Sequence, residues 1–423
     1  MQFAQQNGDN KQIALAMASL GNTLFVSRKY TEGLAHFDRA IKLAKELDDP
    51  LLQAQCLGLK TLACQNAERL PEAFKAAQEV EIIADENQDL GLKCDALASK
   101  AQILLDSGDE IGSLSMFNES LEIAKSIGDK RREMKLLGAL GNYSLKIASM
   151  QRGEAYYKEA IALAQEVGDR HAEIGFLGNL ASIFEWTERF ESAEAMFLEV
   201  LAHLRSNKDH TAEVQVIRHL IKVYEKQNRH EKVIAFANQG ILLTEKADIE
   251  LLMAFSESLI TAHYKLGNTH EAHETTKQTI AYAGSAGKKD KEASFLLSLG
   301  ESYLVSDQLD EALETYLTAL KALQRRSRLV DVAHVTGRIG IVLAEMDRVD
   351  EAIAYHQEAA TLAEKNSLSA LEGEQLTMLG MALQEKGEVE QVKVVWETAV
   401  AIFTQADLTD QAAKVKNLLT ELD

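Results

Sequence analysis

The sequence predicts an all-α fold: a right-handed superhelical solenoid of about ten helix-turn-helix repeats, closed by a C-terminal capping helix. Three observations predict it. The stretch 293–319, ASFLLSLGESYLVSDQLDEALETYLTA, reads as two one-faced helices joined by a polar turn. Phe295, Leu296, Leu299, Gly300 and Tyr303 share one side of the first helix. Leu309, Ala312, Leu313, Tyr316 and Ala319 share one side of the second, again at three- and four-residue spacing. A lone hairpin cannot bury both faces, so it needs neighbours. The second observation supplies them, because the pattern recurs along the chain. The third is that only two prolines occur in 423 residues, which fits nearly continuous helix.

The recurrence can be followed from Gly300. Its equivalents are Gly21, Thr61, Ala101, Gly141, Ala181, Ile221, Ile260, Gly340 and Gly380. Every step is 40 residues except the 39 between Ile221 and Ile260. Small residues such as Gly33, Ala73, Ala312 and Ala352 follow 12 positions later. Others such as Ala40, Ala160, Ala319 and Ala399 follow 19 positions later. An aromatic precedes most of the latter by three residues: Phe37, Phe117, Tyr157, Phe197, Tyr316 and Trp396.

This small, aromatic, small register resembles the tetratricopeptide repeat. Gly300, Tyr303, Ala312, Tyr316 and Ala319 match the family pattern, as do Gly340, Ala352 and Ala359. The usual period is about 34 residues, and these units are longer. The family's helix-closing proline is missing, and a Gly-Asp turn stands in its place at Gly8-Asp9, Gly128-Asp129 and Gly168-Asp169. The chain therefore looks like the longer-repeat subclass of the spindle scaffold LGN, kinesin light chains, MalT-type regulators and Rap-type peptide sensors. The resemblance implies a fold and a concave groove, and it leaves the partner open.

Taken in order, residues 1–9 read as the end of a preceding helix, since FAQQNGD parallels LAQEVGD at 163–169. The chain then begins inside a repeat, and either a preceding domain is expected to have been removed or the native start is frayed. Ten repeats fill 10–405, with helix A near 10–27 and helix B near 31–47 in the first, all within one domain spanning 1–423. Pro50 is expected in the turn after the first hairpin and Pro71 in the first turn of a helix. Repeats two, three, six and seven drift from the pattern at Thr61, Ile221, Val233, Gly240, Ile260 and Thr279. Local repacking accounts for this drift, or else a bend or functional segment lies around 215–285. Residues 406–423 read as an amphipathic cap, with Ala412, Ala413, Val415, Leu419 and Leu422 turned toward the last repeat.

Composition and motifs exclude much chemistry. The net charge of −20 disfavours nucleic acid. The N-terminus lacks a signal core, and no run of 18 apolar residues occurs, so no membrane partner is expected. Cys56, Cys64 and Cys94 form no CxxC and read as reduced core thiols of a cytoplasmic protein. The metal-ligand candidate is His263, His270, Glu271, His273 and Glu274, but no HExxH is present, and His270 and His273 are expected to be solvated. No phosphate loop or nucleophile motif appears, so no catalytic residue, metal or cofactor is expected. The basic clusters Lys288-Lys289-Asp290-Lys291 and Arg325-Arg326-Ser327-Arg328 read as solvated turns.

The helix-A face is more informative. Offsets of −3, +1 and +4 to +5 from each marker keep to one side of a helix. In repeats four to seven they select Asn142, Lys146, Trp186, Arg218, Lys222, Lys226 and Lys265, with Glu185 beside Trp186. In repeats eight to ten they select Glu301, Glu345 and Glu385. A basic stretch inside an acidic chain fits an acidic partner. The expected function is a non-catalytic scaffold capturing a protein or peptide segment in its groove. The alternatives are a ligand-sensing arm of a larger signalling or transcription regulator, and self-association through the uncapped N-terminal repeat.

Overall fold

The structure, a computed structural model, describes residues 10–245, 248–324 and 329–422. Among these residues there are 21 helices and no strands. The first five hairpins are α1 (Asn10–Val26) with α2 (Tyr30–Glu46), α3 (Pro50–Asn66) with α4 (Leu70–Glu86), α5 (Leu90–Ser107) with α6 (Glu110–Ser126), α7 (Lys130–Lys146) with α8 (Met150–Val167), and α9 (Arg170–Trp186) with α10 (Phe190–Ser206); α11 (His210–Lys226) and α12 (His230–Leu243) follow in sequence. The remaining four are α13 (Ile249–Lys265) with α14 (Thr269–Ser285), α15 (Lys289–Val305) with α16 (Leu309–Gln324), α17 (Leu329–Glu345) with α18 (Val349–Lys365), and α19 (Ser369–Glu385) with α20 (Val389–Gln405). A last helix, α21 (Thr409–Glu421), follows. Each odd-numbered helix from α1 to α19 is a helix A. The reading of residues 1–9 as the end of a preceding helix lies outside the described residues.

The turns explain the regular lengths. One residue in each turn takes a left-handed backbone at steps of 20 from Arg28 through Asp48, Glu68 and Gln88 to Asn228, and again at steps of 20 from Gly267 to Asp307 and from Asp347 to Asp407. At the end of α2, Asp48 has φ 51° and donates its N–H to the Lys45 carbonyl, while Asp49 donates to Ala44. These bonds close the last carbonyls of the helix. The same Asp49 then caps the next helix, its carboxylate accepting from Leu52 N–H at 3.0 Å. Pro50 is therefore the first residue of α3 rather than a turn residue, a place where its missing N–H costs nothing. The Gly-Asp turns work alike: Gly128 has φ 68°, and Asp129 accepts from the N–H groups of Arg131 and Arg132. Gly8-Asp9 lies outside the described residues.

The core rests on small residues beneath rings. Gly141 lies under Tyr157, where an added Cβ would come within 2.6 Å of the ring, and Gly300 lies under Tyr316 at 2.7 Å. Phe37, Phe117, Tyr157, Phe197, Tyr316 and Trp396 are all fully buried. The drifting repeats exchange volumes. Where Thr61 and Ile260 replace the small residue, Ala77 and Thr276 replace the ring 16 positions on, and both are buried. This is the local repacking reading of the drift.

Contacts divide the chain into two compact units, 1–223 and 224–423. In the first, one core joins Phe25, Phe37, Cys56 and Cys64, and another joins Phe117, Leu137, Leu140 and Tyr143. In the second, Tyr303, Tyr316 and Ile339 share a core, and α21 buries Ala412 and Val415 against the cluster holding Trp396 and Phe403.

Repeat nine puts a histidine where its neighbours put a ring. His356 is fully buried over Gly340, with Nδ1 2.8 Å from Gln375 Oε1. Burial holds its pKa below the usual histidine value, against the opposing Gln375 bond. Burial also lowers His263 and His273. Such groups fold neutral, while the unfolded chain takes up protons near pH 6.5. Their stability is complete above that pH and is lost as pH falls through the depressed values. The melting midpoint of the second unit is expected to fall between pH 7 and pH 5. A midpoint that rises or holds over that interval would contradict it.

Candidate binding groove

Four polar pairs join neighbouring A helices at one common separation. They are Asp95–Arg132, Asn142–Asn179, Glu185–Lys222 and Glu301–Arg338, each 37 residues apart. The separation is one repeat less three residues, so an offset of +1 or +4 in one repeat faces −2 or +1 in the next, and in Asp95–Arg132 an offset of −6 faces −9.

The sequence-selected residues take distinct places in this ladder. Asn142 Oδ1 accepts from Tyr157 Oη–H at 2.5 Å and from Asn179 Nδ2–H at 3.3 Å. Lys146 Nζ donates to the Leu105 carbonyl at 2.7 Å and lies 3.6 Å from Asp106. Trp186 is 67% exposed at the end of α9, a large apolar surface left to solvent. Arg218 is exposed and donates to Gln215 Oε1 at 3.2 Å. Lys226 and Lys265 are exposed and belong to the second unit.

Lys222 has a structural duty. It holds Glu185, whose side chain is only 2% exposed, and His219 Nδ1 sits 2.7 Å from the same carboxylate. Burial pushes the Glu185 carboxyl up, but His219 and Lys222 outweigh it and hold it below the ordinary value. Glu185 belongs in any description of the site, and the 37-residue spacing is the signal that would have found it.

These elements frame an open cleft of about 410 Å³ within the first unit, walled by α9 and α11 and floored by α10. Ile174, Phe197, Val200, Leu204 and Val216 make its apolar lining. Asn179, Gln215 and three imidazoles, His171, His203 and His219, supply polar groups. A pocket of this size and make-up can take apolar groups of a ligand while a few polar groups orient it.

The other sequence candidates sort differently. His270 is exposed, but His273 is buried, contrary to expectation. It shares the inner face of α14 with Ala272 and Thr276, stands 2.8 Å from Ser302 Oγ, and packs edge-on against Tyr303. Among the described residues no His, Cys, Asp or Glu cluster could hold a metal. Lys288, Lys289 and Lys291 pair with Glu250, Glu292 and Glu257. The cluster at 325–328 lies outside the described residues. Of the acidic wall, Glu301 accepts from Tyr316 Oη–H at 2.9 Å and meets Arg338 at 3.5 Å, while Glu345 and Glu385 are exposed. No helix among the described residues is long and apolar enough to cross a membrane.

An all-α array of stacked helical hairpins is the class these features define. The tetratricopeptide repeat family matches residues 291–365, a stretch that carries the register of small and aromatic residues. Among solved structures, a signal-transduction ATPase with numerous domains and a tetratricopeptide repeat sensor, from Pyrococcus horikoshii, is 14% identical with a TM-score of 0.50. The likeness covers 87% of this chain and 55% of that one, so this chain spans about half the length of that relative. BtubC from P. vanneervenii is 19% identical, covering 52% of this chain and 92% of its own, with a TM-score of 0.40. Aspartyl phosphate phosphatase F from Bacillus subtilis is 14% identical, covering 83% and 94%, with a TM-score of 0.45. No curated protein sequence matches the chain.

Proposed function

We propose that the chain is a non-catalytic scaffold whose helix-A face captures a segment of a protein partner, with the ten repeats acting as one domain in the cytoplasm. The observation that carries this reading is the open cleft of repeats five and six, with Trp186 exposed one turn beyond Ser182 on the same wall. The helices are rigid before binding, so most of the ordering cost falls on the partner. Arg218, Lys226 and Lys265 offer positive charge on an acidic chain, which favours an acidic segment. The reading requires no metal or cofactor.

Binding to an array of acidic peptides bearing aromatic or leucine residues tests it. Affinity is expected to fall as salt rises, because exposed charges are screened. Trp186→Ala is expected to weaken binding by about 1–2 kcal/mol, as loss of an aromatic anchor does. The paired reversal Arg218→Glu with Lys226→Glu should weaken it further. Salt-independent affinity with both variants binding normally would move the site elsewhere, to the wall around Glu301, Glu345 and Glu385 first. Self-association through the first repeat would instead appear as a concentration-dependent mass.

A further inference from the structure

We infer that the cleft between α9 and α11 is a socket for an aromatic side chain of an acidic peptide segment, with a carboxylate of that segment on Arg218; the inference rests on the groove reading above. Two glycines in the α9 wall carry it. Glycines inside helices here mostly have a packing reason: a Cβ at Gly21, Gly141, Gly300, Gly340 or Gly380 would run into a ring at 3.0 Å or less. Gly175 and Gly178 have none, since a Cβ at either would meet nothing within 4 Å. Neither takes a positive φ. An interior helical glycine costs about 0.5–1 kcal/mol relative to alanine. The fold therefore does not require these two, and both line the cleft. Gly58 has equally open surroundings, so bare backbone alone decides nothing; its coincidence with an apolar cavity does. A wall without side chains lets a flat ring approach the helix backbone closely. The opposite lining includes the stacked pair Phe197 and His219, 5.0 Å apart and 16° from parallel.

The charge around the cleft selects an acid. In repeats five and six of this unit, Arg170, Arg189 and Arg205 each hold a carboxylate: Glu199, Glu154 and Glu213. Arg218 holds only the neutral amide of Gln215, which itself lines the cleft. The nearby acids are already engaged. Asp209 caps the Ala212 N–H, and Glu185 is held by His219 and Lys222. An added carboxylate therefore meets an uncommitted guanidinium.

Three labelled pentapeptides test the socket by fluorescence anisotropy: acetyl-Asp-Glu-Phe-Asp-Glu-amide, its alanine-centred version, and a lysine-flanked phenylalanine version. The first is expected to bind the wild-type protein at least tenfold more tightly than the other two. Gly178→Leu should abolish that preference while melting at or above the wild-type temperature, because the space is open and a helix former replaces glycine. Arg218→Gln should weaken the acidic peptide and leave the lysine-flanked one unchanged. Equal binding of the phenylalanine and alanine peptides, or undiminished binding by Gly178→Leu, would overturn the socket while leaving groove capture standing. Tighter binding of the lysine-flanked peptide would overturn the acidic occupant. Failure of all three overturns the socket, and failure of the wider acidic array as well overturns groove capture.

Discussion

Gly380→Ala is expected to lower stability by about 2–5 kcal/mol, combining overpacking with a broken buried hydrogen bond. A Cβ at Gly380 would lie 2.1 Å from Trp396 Nε1 and 2.4 Å from Cδ1. The indole cannot step aside freely. It is 1% exposed, and Nε1–H donates to the Thr377 carbonyl at 3.0 Å. Either α19 and α20 separate, or the ring turns and leaves a buried donor without an acceptor. Gly175→Ala is the control, since its Cβ enters open space and helix propensity alone predicts a gain of about 0.5–1 kcal/mol. Denaturant midpoints of the two variants should move in opposite directions. Midpoints that move together would mean that the close approach under Trp396 does not exist.

Lys222→Glu is expected to destabilise repeats five and six rather than report on binding. Glu185 is almost wholly buried, and Lys222 is the cation paired with it, with His219 Nδ1 at hydrogen-bond distance from the same carboxylate. Removing one partner of a buried pair costs about 3–5 kcal/mol, whereas an exposed pair contributes at most about 1. Lys222 is 54% exposed, so its loss falls between these limits, and a second carboxylate adds repulsion. Arg218→Glu touches no buried charge and should leave the melting temperature within a degree or two. Circular dichroism melts of the two variants decide the matter. Equal, unshifted melts would show that Glu185 does not depend on Lys222. A charge reversal beside this cleft should therefore be made at Arg218 rather than Lys222.

The register of the fold is legible in the sequence because its cause is local. Gly300 and Tyr316 lie 16 residues apart and pack directly, so one hairpin's constraint appears as one short-range pattern. The drift at Thr61 and Ile260 is legible on the same basis once residues 77 and 276 are read with them. The polar interior was not legible. His273 looks like a surface residue until Ser302 is placed beside it, and that partner comes from another helix. The basic stripe was half legible. Its residues were found, but Lys222 was assigned to a partner when its charge answers Glu185 one repeat away. A pairing rule of 37 residues would have separated Lys222 from Arg218.

The same rungs bear on how a chain of this kind can change length. Adding or removing one whole repeat leaves every rung partner in register, because each rung joins only adjacent units. An insertion of one residue within a helix would put every rung crossing it out of step and turn a buried stripe outward. Length variation is thereby confined to the turns. Gene-level gain and loss of 40-residue blocks is thus the mutational route that such an architecture leaves open, and groove length is the trait it would vary.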